Sequence, residues 1–338
     1  MKRAGNLYDK ICSFSNIIQS IHKAAKGNKK YRKKIATFIL NSEKEALQLQ
    51  KELLTQTYIP LPYSQFTIYD PKIRIISVAQ FRDRVVFHAL CNYAGTILDN
   101  SLISDSYACR KNKGMHRALK KANQFIKKSS YFLKLDIEKF FETISHKKLY
   151  ELIQCKIKDK KTLWLIQQII KKVPQNYSNG FGLPIGNLTS QYFANFYLSS
   201  LDHYIKQELK IKAYTRYMDD MLLLGRDKII LVSAFQEIEA FLRERLDLRL
   251  NEKATKLGRV TQGIPFLGFR ICPHKIFILQ KNWKRFKKKF IKQQNKYLQG
   301  KITQQALIQS ISSMTEYICH ADTSNLRKNF IDRFSIEI

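Results

Sequence analysis

The sequence is poor in acid. Of its 338 residues, 27 are Asp or Glu against 60 Lys or Arg, a formal net charge of +33. A compact chain with that excess repels itself, and its natural counterpart is a polyanion: nucleic acid first, an anionic membrane surface second. No run approaches the roughly 18 apolar residues of a membrane span. The opening MKRAGNLYDKICSF lacks the apolar run and small-residue site of a signal peptide, so a cytoplasmic location is expected. The six cysteines, Cys12, Cys91, Cys109, Cys155, Cys272 and Cys319, form no C-x-x-C pair, which excludes reading a zinc site or a disulfide framework from them. Cys272 and His274 have no second pair at ligand spacing and read as structural. There is no internal repeat and no Pro/Gly/Ser-rich linker, which favours one continuous catalytic unit with subdomains. What is present is 44% hydrophobic and 12% aromatic residues, too apolar for a disordered basic arm.

Charge and periodicity divide the chain. HKAAKGNKKYRKK (22–34) is a basic stretch before FILNSEKEALQLQKELLTQ, whose apolar spacing predicts an amphipathic helix. Prolines and β-branched residues between Thr57 and Ile76 predict extended structure or a hairpin, and helical spacing returns from Gln80 to Leu98. YFLKLDI (131–137) predicts a strand. KKLYELIQCKI, TLWLIQQIIKKV and a long segment over 190–210 predict helices. AYTRYMDDMLLLG (213–225) reads as a hairpin with two aspartates at its tip. VSAFQEIEAFLRERLDL is helical, and LRLNEKATKLG and GIPFLGFRIC are extended. From Asn282 the chain is helix-rich, opening on WKRFKKKFIKQQNKYLQG, which contains no acid. Its Trp283, Phe286, Phe290 and Tyr297 read either as core beneath a solvated lysine face or as part of a clamp on a duplex.

Three aspartates carry the strongest chemistry. Asp136 ends an apolar strand, and Asp219 and Asp220 lie side by side among apolar residues. Adjacent like charges that resist desolvation make a divalent cation their natural partner. Three carboxylates suffice to bind two Mg²⁺ ions, with Mn²⁺ as a substitute, in all-oxygen coordination completed by waters and phosphates. Two such ions clamp the attacking and leaving oxygens of a phosphoryl transfer.

In order, LKLDIEKFFETI, GLPIGNLTSQYFANFYL, YTRYMDDMLLLG, LNEKATKLG and FLGFRI resemble the motifs of reverse transcriptases over nearly the whole chain. YDPKIRIISVAQFRDRVVFHALCN (69–92) and YACRKNKGMHRALKKA (107–122) resemble the fingers motifs of the branch holding group II intron, retron and diversity-generating retroelement enzymes. Where most reverse transcriptases carry Gln-Gly, three residues and Ser-Pro, this chain has Ile185-Gly186 and Ser190-Gln191. Both departures, Ile185 and Gln191, resemble the diversity-generating retroelement enzymes, as does ISSMTEYICHADTSNL (311–326).

The resemblance implies an α+β right-hand polymerase. Fingers would cover 1–130, an antiparallel-sheet palm of ferredoxin or RRM type 131–277, and a helical basic thumb 278–338. It implies metal binding by Asp136, Asp219, Asp220 and the Ile137 carbonyl. Lys72, Arg74 and Arg84 become candidates for the triphosphate or the template backbone, with Lys253 approaching the phosphates from the other side. Phe141 would exclude a ribose 2′ oxygen, with Phe140 turned to the core if the segment is extended. Ile185, lacking the hydrogen bonds of a Gln, would loosen discrimination, and the resemblance implies error-prone copying at template adenines. Gly268 in FLGF suits close approach to a primer, or a β-bulge. His88, His116, His203 and His320 show no ligand spacing. Asn-x-Ser/Thr sites at Asn176 and Asn187 have no meaning in a cytoplasmic protein.

Expected partners are a structured template RNA, the RNA/DNA duplex, deoxynucleoside triphosphates and a small basic accessory protein oligomer of the accessory variability determinant type, with no membrane. The setting would be a bacterial, phage or archaeal element, and no residues remain for an RNase H or HNH domain. Rival readings are a generic group II intron, retron or abortive-infection polymerase, an RNA-binding splicing cofactor with secondary polymerase activity, and a membrane-surface protein.

Overall fold

Apolar spacing of three and four builds the helices and short apolar runs build most of the strands in a computed structural model that describes residues 3–70, 72–174 and 177–334. Asn176 lies outside the described residues. Packing divides the chain into two units that interleave along the sequence. The first is Met1–Ser104, Ile137–Lys210 and Gln236–Asn251, and the second is Asp105–Asp136, Ile211–Phe235 and Glu252–Ile338. This division by packing is a different cut from fingers, palm and thumb.

The first unit is mostly helical. Helix Phe14–Ala24 starts at Ser13, whose hydroxyl accepts from the Asn16 N–H, and it buries Ile17, Ile21 and Ala24 against helices Ser42–Leu54 and Phe81–Leu90. The helix expected from Phe38 onward breaks at Asn41, between Lys33–Leu40 and Ser42–Leu54. The Asn41 amide donates back to the Thr37 carbonyl at 3.0 Å, a local bond that competes with the helix ladder. The expected hairpin is β1 (Ser64–Ile68) with β2 (Arg74–Val78), antiparallel from Ser64↔Val78 to Ile68↔Arg74. Near it, buried Asp83 accepts from the Tyr58 hydroxyl at 2.8 Å and the Leu61 N–H at 2.9 Å.

The helix expected over 190–210 is interrupted at Leu198 and closes in a wide π turn, Tyr204–Glu208. There Tyr204 stacks on Phe241, ring centroids 4.7 Å apart, and its hydroxyl donates to Glu237.

The second unit holds two antiparallel sheets. The larger contains β3 (Tyr131–Leu135), β4 (Tyr214–Tyr217), β5 (Asp220–Gly225) and β6 (Lys256–Arg259), in the spatial order β4-β5-β3-β6. Of LRLNEKATKLG, expected to be extended, only β6 joins this sheet, since Glu252–Ala254 form a turn. The smaller sheet is β7 (Ile264–Phe266), β8 (Phe269–Ile271) and β9 (Ile276–Ile278). Phe132, Leu222 and Leu224 of the larger sheet, Ala118, Leu119, Ala122 and Ile126 of helix Met115–Ile126, and Ile264, Phe266, Phe269 and Ile271 form one core.

Helices Gln280–Leu298, Gln304–Ile318 and Ser324–Phe334 pack around Phe286, Phe290, Ile318 and Phe330, with Trp283 stacked on Phe286 at 5.2 Å. Lys281, Lys284 and Lys288 are exposed. Trp283, Phe286 and Phe290 are therefore core under a solvated basic face. Among the described residues no helix is long and apolar enough to cross a membrane.

Phe330 touches Trp283, Phe286, Phe290 and Phe334. Phe330→Ala should cost about 3–5 kcal/mol, read as a lowered midpoint in guanidinium unfolding. A loss below about 1 kcal/mol would mean the cluster collapses onto the gap.

Candidate active site

Two strand ends position the aspartates. β3 pairs with β5 up to Leu135↔Met221, so Asp136 directly follows the end of β3 and Asp220 is the first residue of β5. β4 and β5 close on the pair Tyr217↔Asp220, leaving Met218 and Asp219 as a two-residue turn. Met218 has φ of 59° in that turn, a position that favours glycine and costs a larger side chain about 1–3 kcal/mol.

Arg216 opposes this strain. Its guanidinium, 0% exposed, donates from Nη1 to the Met218 carbonyl at 3.0 Å. The Arg216 N–H donates to the Asp105 carbonyl at 3.0 Å, and its own carbonyl accepts from the Tyr107 N–H at 2.9 Å. The outer edge of β4 is thus clamped, and the clamp reaches the turn that carries Asp219. Sequence reasoning missed Arg216, because one arginine among 60 basic residues gives no sign of burial.

Asp220 sits on the buried side of the turn. Burial pushes its carboxyl up to about 6; Asp136 and Asp219 push the same way and Lys134 opposes them. Its Oδ1 is shielded from solvent and makes no hydrogen bond. The Lys134 ammonium stands 3.2 Å from that oxygen and forms an ion pair with it. Among the described residues no three Asp, Glu, His or Cys side chains are drawn together tightly enough to hold a metal ion as they stand. The donor chemistry nevertheless fits one: three hard oxygen ligands at neighbouring strand ends, mutual repulsion, and a buried carboxylate oxygen without a hydrogen bond.

The remaining candidates divide between the units. Lys253 is exposed in the turn before β6, in the second unit with the aspartates. Lys72, Arg74, Arg84, Ile137, Phe141, Ile185 and Gln191 belong to the first unit. There Phe140 is buried at 2% exposure and Phe141 half-buried, on a short helix, Phe140–Thr143, so Phe140 faces the core without the extended backbone that was the condition for it. The Phe141 carbonyl accepts from the Leu183 N–H at 2.7 Å, and the Ile185 carbonyl from the Ser77 N–H at 2.9 Å. Asn187 joins the same network, accepting from the Ala79 N–H and donating to the Ser77 carbonyl. Gly186 has φ of 113°, and a Cβ there would lie 2.9 Å from Ile76 Cγ2 and 3.1 Å from the Ser77 carbonyl oxygen. Main-chain bonds thereby tie the Phe141 and Ile185 segments and β2 into one framework.

Lys72 and Arg74 are exposed at the β1–β2 hairpin. Arg84 lies over the Phe81 ring at 5.0 Å, with a buried Nε that has no hydrogen-bond partner, and burial with nearby Arg32 lowers its basicity. Gln191 is half-buried on helix Leu188–Tyr197, and Ile137 is buried and bridges to Leu250. Gly268 occupies the β7–β8 turn with φ of 90°, and its missing Cβ leaves room for Asn282 Nδ2 and the Tyr317 hydroxyl. It is a turn glycine rather than a bulge. His116 and His320 stack with ring centroids 3.2 Å apart, a contact no sequence spacing announced.

Because the Asp220 carboxyl resists ionisation in the fold, its contribution to metal-free stability should fall as pH rises from about 4 to about 6. Mg²⁺ should raise the melting temperature more at neutral pH than at about pH 5, and Asp220→Asn should remove most of that difference. Differential scanning fluorimetry checks this; an equal Mg²⁺ shift at both pH values would contradict it.

Residues 69–271 match the family model described as reverse transcriptase (RNA-dependent DNA polymerase). The chain is 25% identical over 268 residues to protein YkfC of Escherichia coli K12, covering 66% of this chain and 70% of YkfC. It is 29% identical over 178 residues to the group II intron-encoded protein LtrA of Lactococcus lactis subsp. cremoris, covering 51% of this chain and 30% of LtrA. Its fold is similar to apo telomerase from Candida tropicalis truncated from its C-terminal domain, at TM-score 0.52 and 13% identity, covering 69% of this chain and 59% of that one. Telomerase from Candida albicans, in complex with a fragment of telomeric RNA, gives TM-score 0.51 at 11% identity over 89% of this chain and 62% of that one. The chain thus spans less than a third of LtrA and under two thirds of either telomerase. The matched span runs from the β1–β2 turn through β8 and contains all three aspartates, and the chain belongs to the reverse transcriptase (RNA-dependent DNA polymerase) family.

Proposed function

We propose that the chain copies a template RNA into DNA by metal-assisted phosphoryl transfer at Asp136, Asp219 and Asp220, with the Ile137 carbonyl as a further ligand. The observation that carries this reading is the placement of the three carboxylates at adjoining strand ends, one of them half-buried, with one oxygen shielded from solvent, and resistant to ionisation. When bound, two Mg²⁺ ions, or Mn²⁺ in their place, supply the charge that activates a primer 3′ hydroxyl and neutralises the pyrophosphate leaving group. The protein's own part is positioning and charge, which dominate phosphoryl transfer. Arg216 holds the aspartate turn, Lys72, Arg74 and Arg84 are assigned to phosphates of the nucleotide or template, and Lys253 to the phosphates from the other side. Phe141 excludes a 2′ oxygen by shape. Fingers over 1–130, palm over 131–277 and thumb over 278–338 are the functional parts, and the net charge of +33 suits a structured RNA and an RNA/DNA duplex.

Within the family we infer a diversity-generating retroelement enzyme, error-prone at template adenines, working in the cytoplasm with a small basic accessory oligomer. Ile185 and Gln191 support this reading. The group II intron-type alternative is favoured by the 29% identity to LtrA.

Primer extension on an RNA template tests the activity. DNA synthesis that stops on chelation and in Asp219→Asn is expected, and synthesis that survives Asp219→Asn would overturn the site. Phe141→Ala should admit ribonucleotides; undiminished discrimination would remove Phe141 from the sugar pocket. Ile185→Gln should lower misincorporation at template adenines, with about 1.4 kcal/mol of added discrimination worth tenfold. An unchanged error spectrum would favour the intron-type reading.

A further inference from the structure

β3 is an inner strand of its sheet, flanked by β5 and β6, and Phe132, Leu133 and Leu135 within it are buried. Lys134 interrupts this apolar run, and its side chain is only 16% exposed. A lysine ammonium so placed is costly unless paired. Its partner is Asp220, whose side chain is 21% exposed and whose Oδ1 lies 3.2 Å away. The pairing follows from register. Lys134 faces Leu222 across the β3–β5 ladder, Asp220 is two residues from Leu222, and Asp136 is two residues from Lys134. A period of two puts Lys134, Asp136 and Asp220 on the same face of the sheet.

The oxygen that Lys134 approaches is also the buried one that makes no hydrogen bond. A divalent cation on Asp220 and the Lys134 ammonium therefore compete for the same carboxylate, and each repels the other. We propose that Lys134 is a resident counter-ion of the carboxylate trio: it holds Asp220 when no metal is bound and weakens the affinity of the site for divalent cations. This rests on reading the trio as a metal site.

The test is a titration of Mn²⁺ against the full chain without nucleotide, followed by electron paramagnetic resonance. A unit positive charge about 6 Å from a divalent cation weakens its binding about tenfold even at the dielectric of water. Lys134→Met should therefore bind Mn²⁺ about tenfold more tightly than the unaltered chain or better, while Lys134→Arg, which keeps the charge, should bind it as the unaltered chain does. If Lys134→Met fails to fold, Lys134→Gln carries the same expectation. A purely structural lysine would lower the melting temperature of the neutral variant and leave Mn²⁺ affinity unchanged, and that result overturns the proposal, as does weaker binding. An Asp219→Asn, Asp220→Asn double variant separates the two claims. If it binds Mn²⁺ as well as the unaltered chain does, the metal-site reading itself fails. If it loses binding while Lys134→Met changes nothing, only the counter-ion role fails.

Discussion

Three carboxylates must be kept within reach of one another at the ends of two strand pairings, and one of them is largely removed from water. Their mutual repulsion is the constraint around which the second unit is arranged. β3 lies beside β5, so Asp136 follows the last pair of that ladder while Asp220 begins β5, and a two-residue turn sets Asp219 directly before it. The turn requires a left-handed Met218, and Arg216, fully buried, holds the carbonyl of that residue. Lys134 supplies the positive charge that makes burying Asp220 tolerable in the absence of metal. The strained turn and the half-buried carboxylate are each costly alone, and a divalent cation at the trio would offset the second only by displacing the Lys134 ion pair.

The strands and the aspartates were legible because they rest on local signals. Short apolar runs predicted β3 and the β4–β5 hairpin, and the resemblance assigned Asp136, Asp219 and Asp220 to reverse transcriptase motifs that lie within the span matched by the family. What stayed hidden depends on neighbours distant in sequence. Nothing in YTRYMDD says that Arg216 is buried, since that follows from its edge pairing with residues 105–107. The pairing of Lys134 with Asp220 spans the β3–β5 ladder. The break at Leu198, the π turn at Tyr204 and the His116–His320 stack likewise depend on packing partners. The lysine-rich helix Gln280–Leu298 admitted two readings, and the packing of Phe286 and Phe290 on Phe330, with Trp283 against them, decided that these three aromatics are core.

Family and subfamily rest on different kinds of residue. Membership in the reverse transcriptases draws on a matched span of 69–271, including the aspartate motifs. The subfamily reading draws on Ile185 and Gln191, and the backbone around Ile185 is fixed independently of its side chain: its carbonyl bonds Ser77, Gly186 packs on Ile76, and Asn187 braces the loop. Such a framework lets the side chain at 185 vary without disturbing the fold, as its proposed role in discrimination requires.

The central claim is that Asp136, Asp219 and Asp220 together bind a divalent cation. Anomalous X-ray scattering from crystals of the chain grown with Mn²⁺ tests it most directly. The account predicts an anomalous peak in contact with all three carboxylates, with the Lys134 ammonium withdrawn from Asp220. Absence of a peak there, with Mn²⁺ bound elsewhere on the chain, would contradict it.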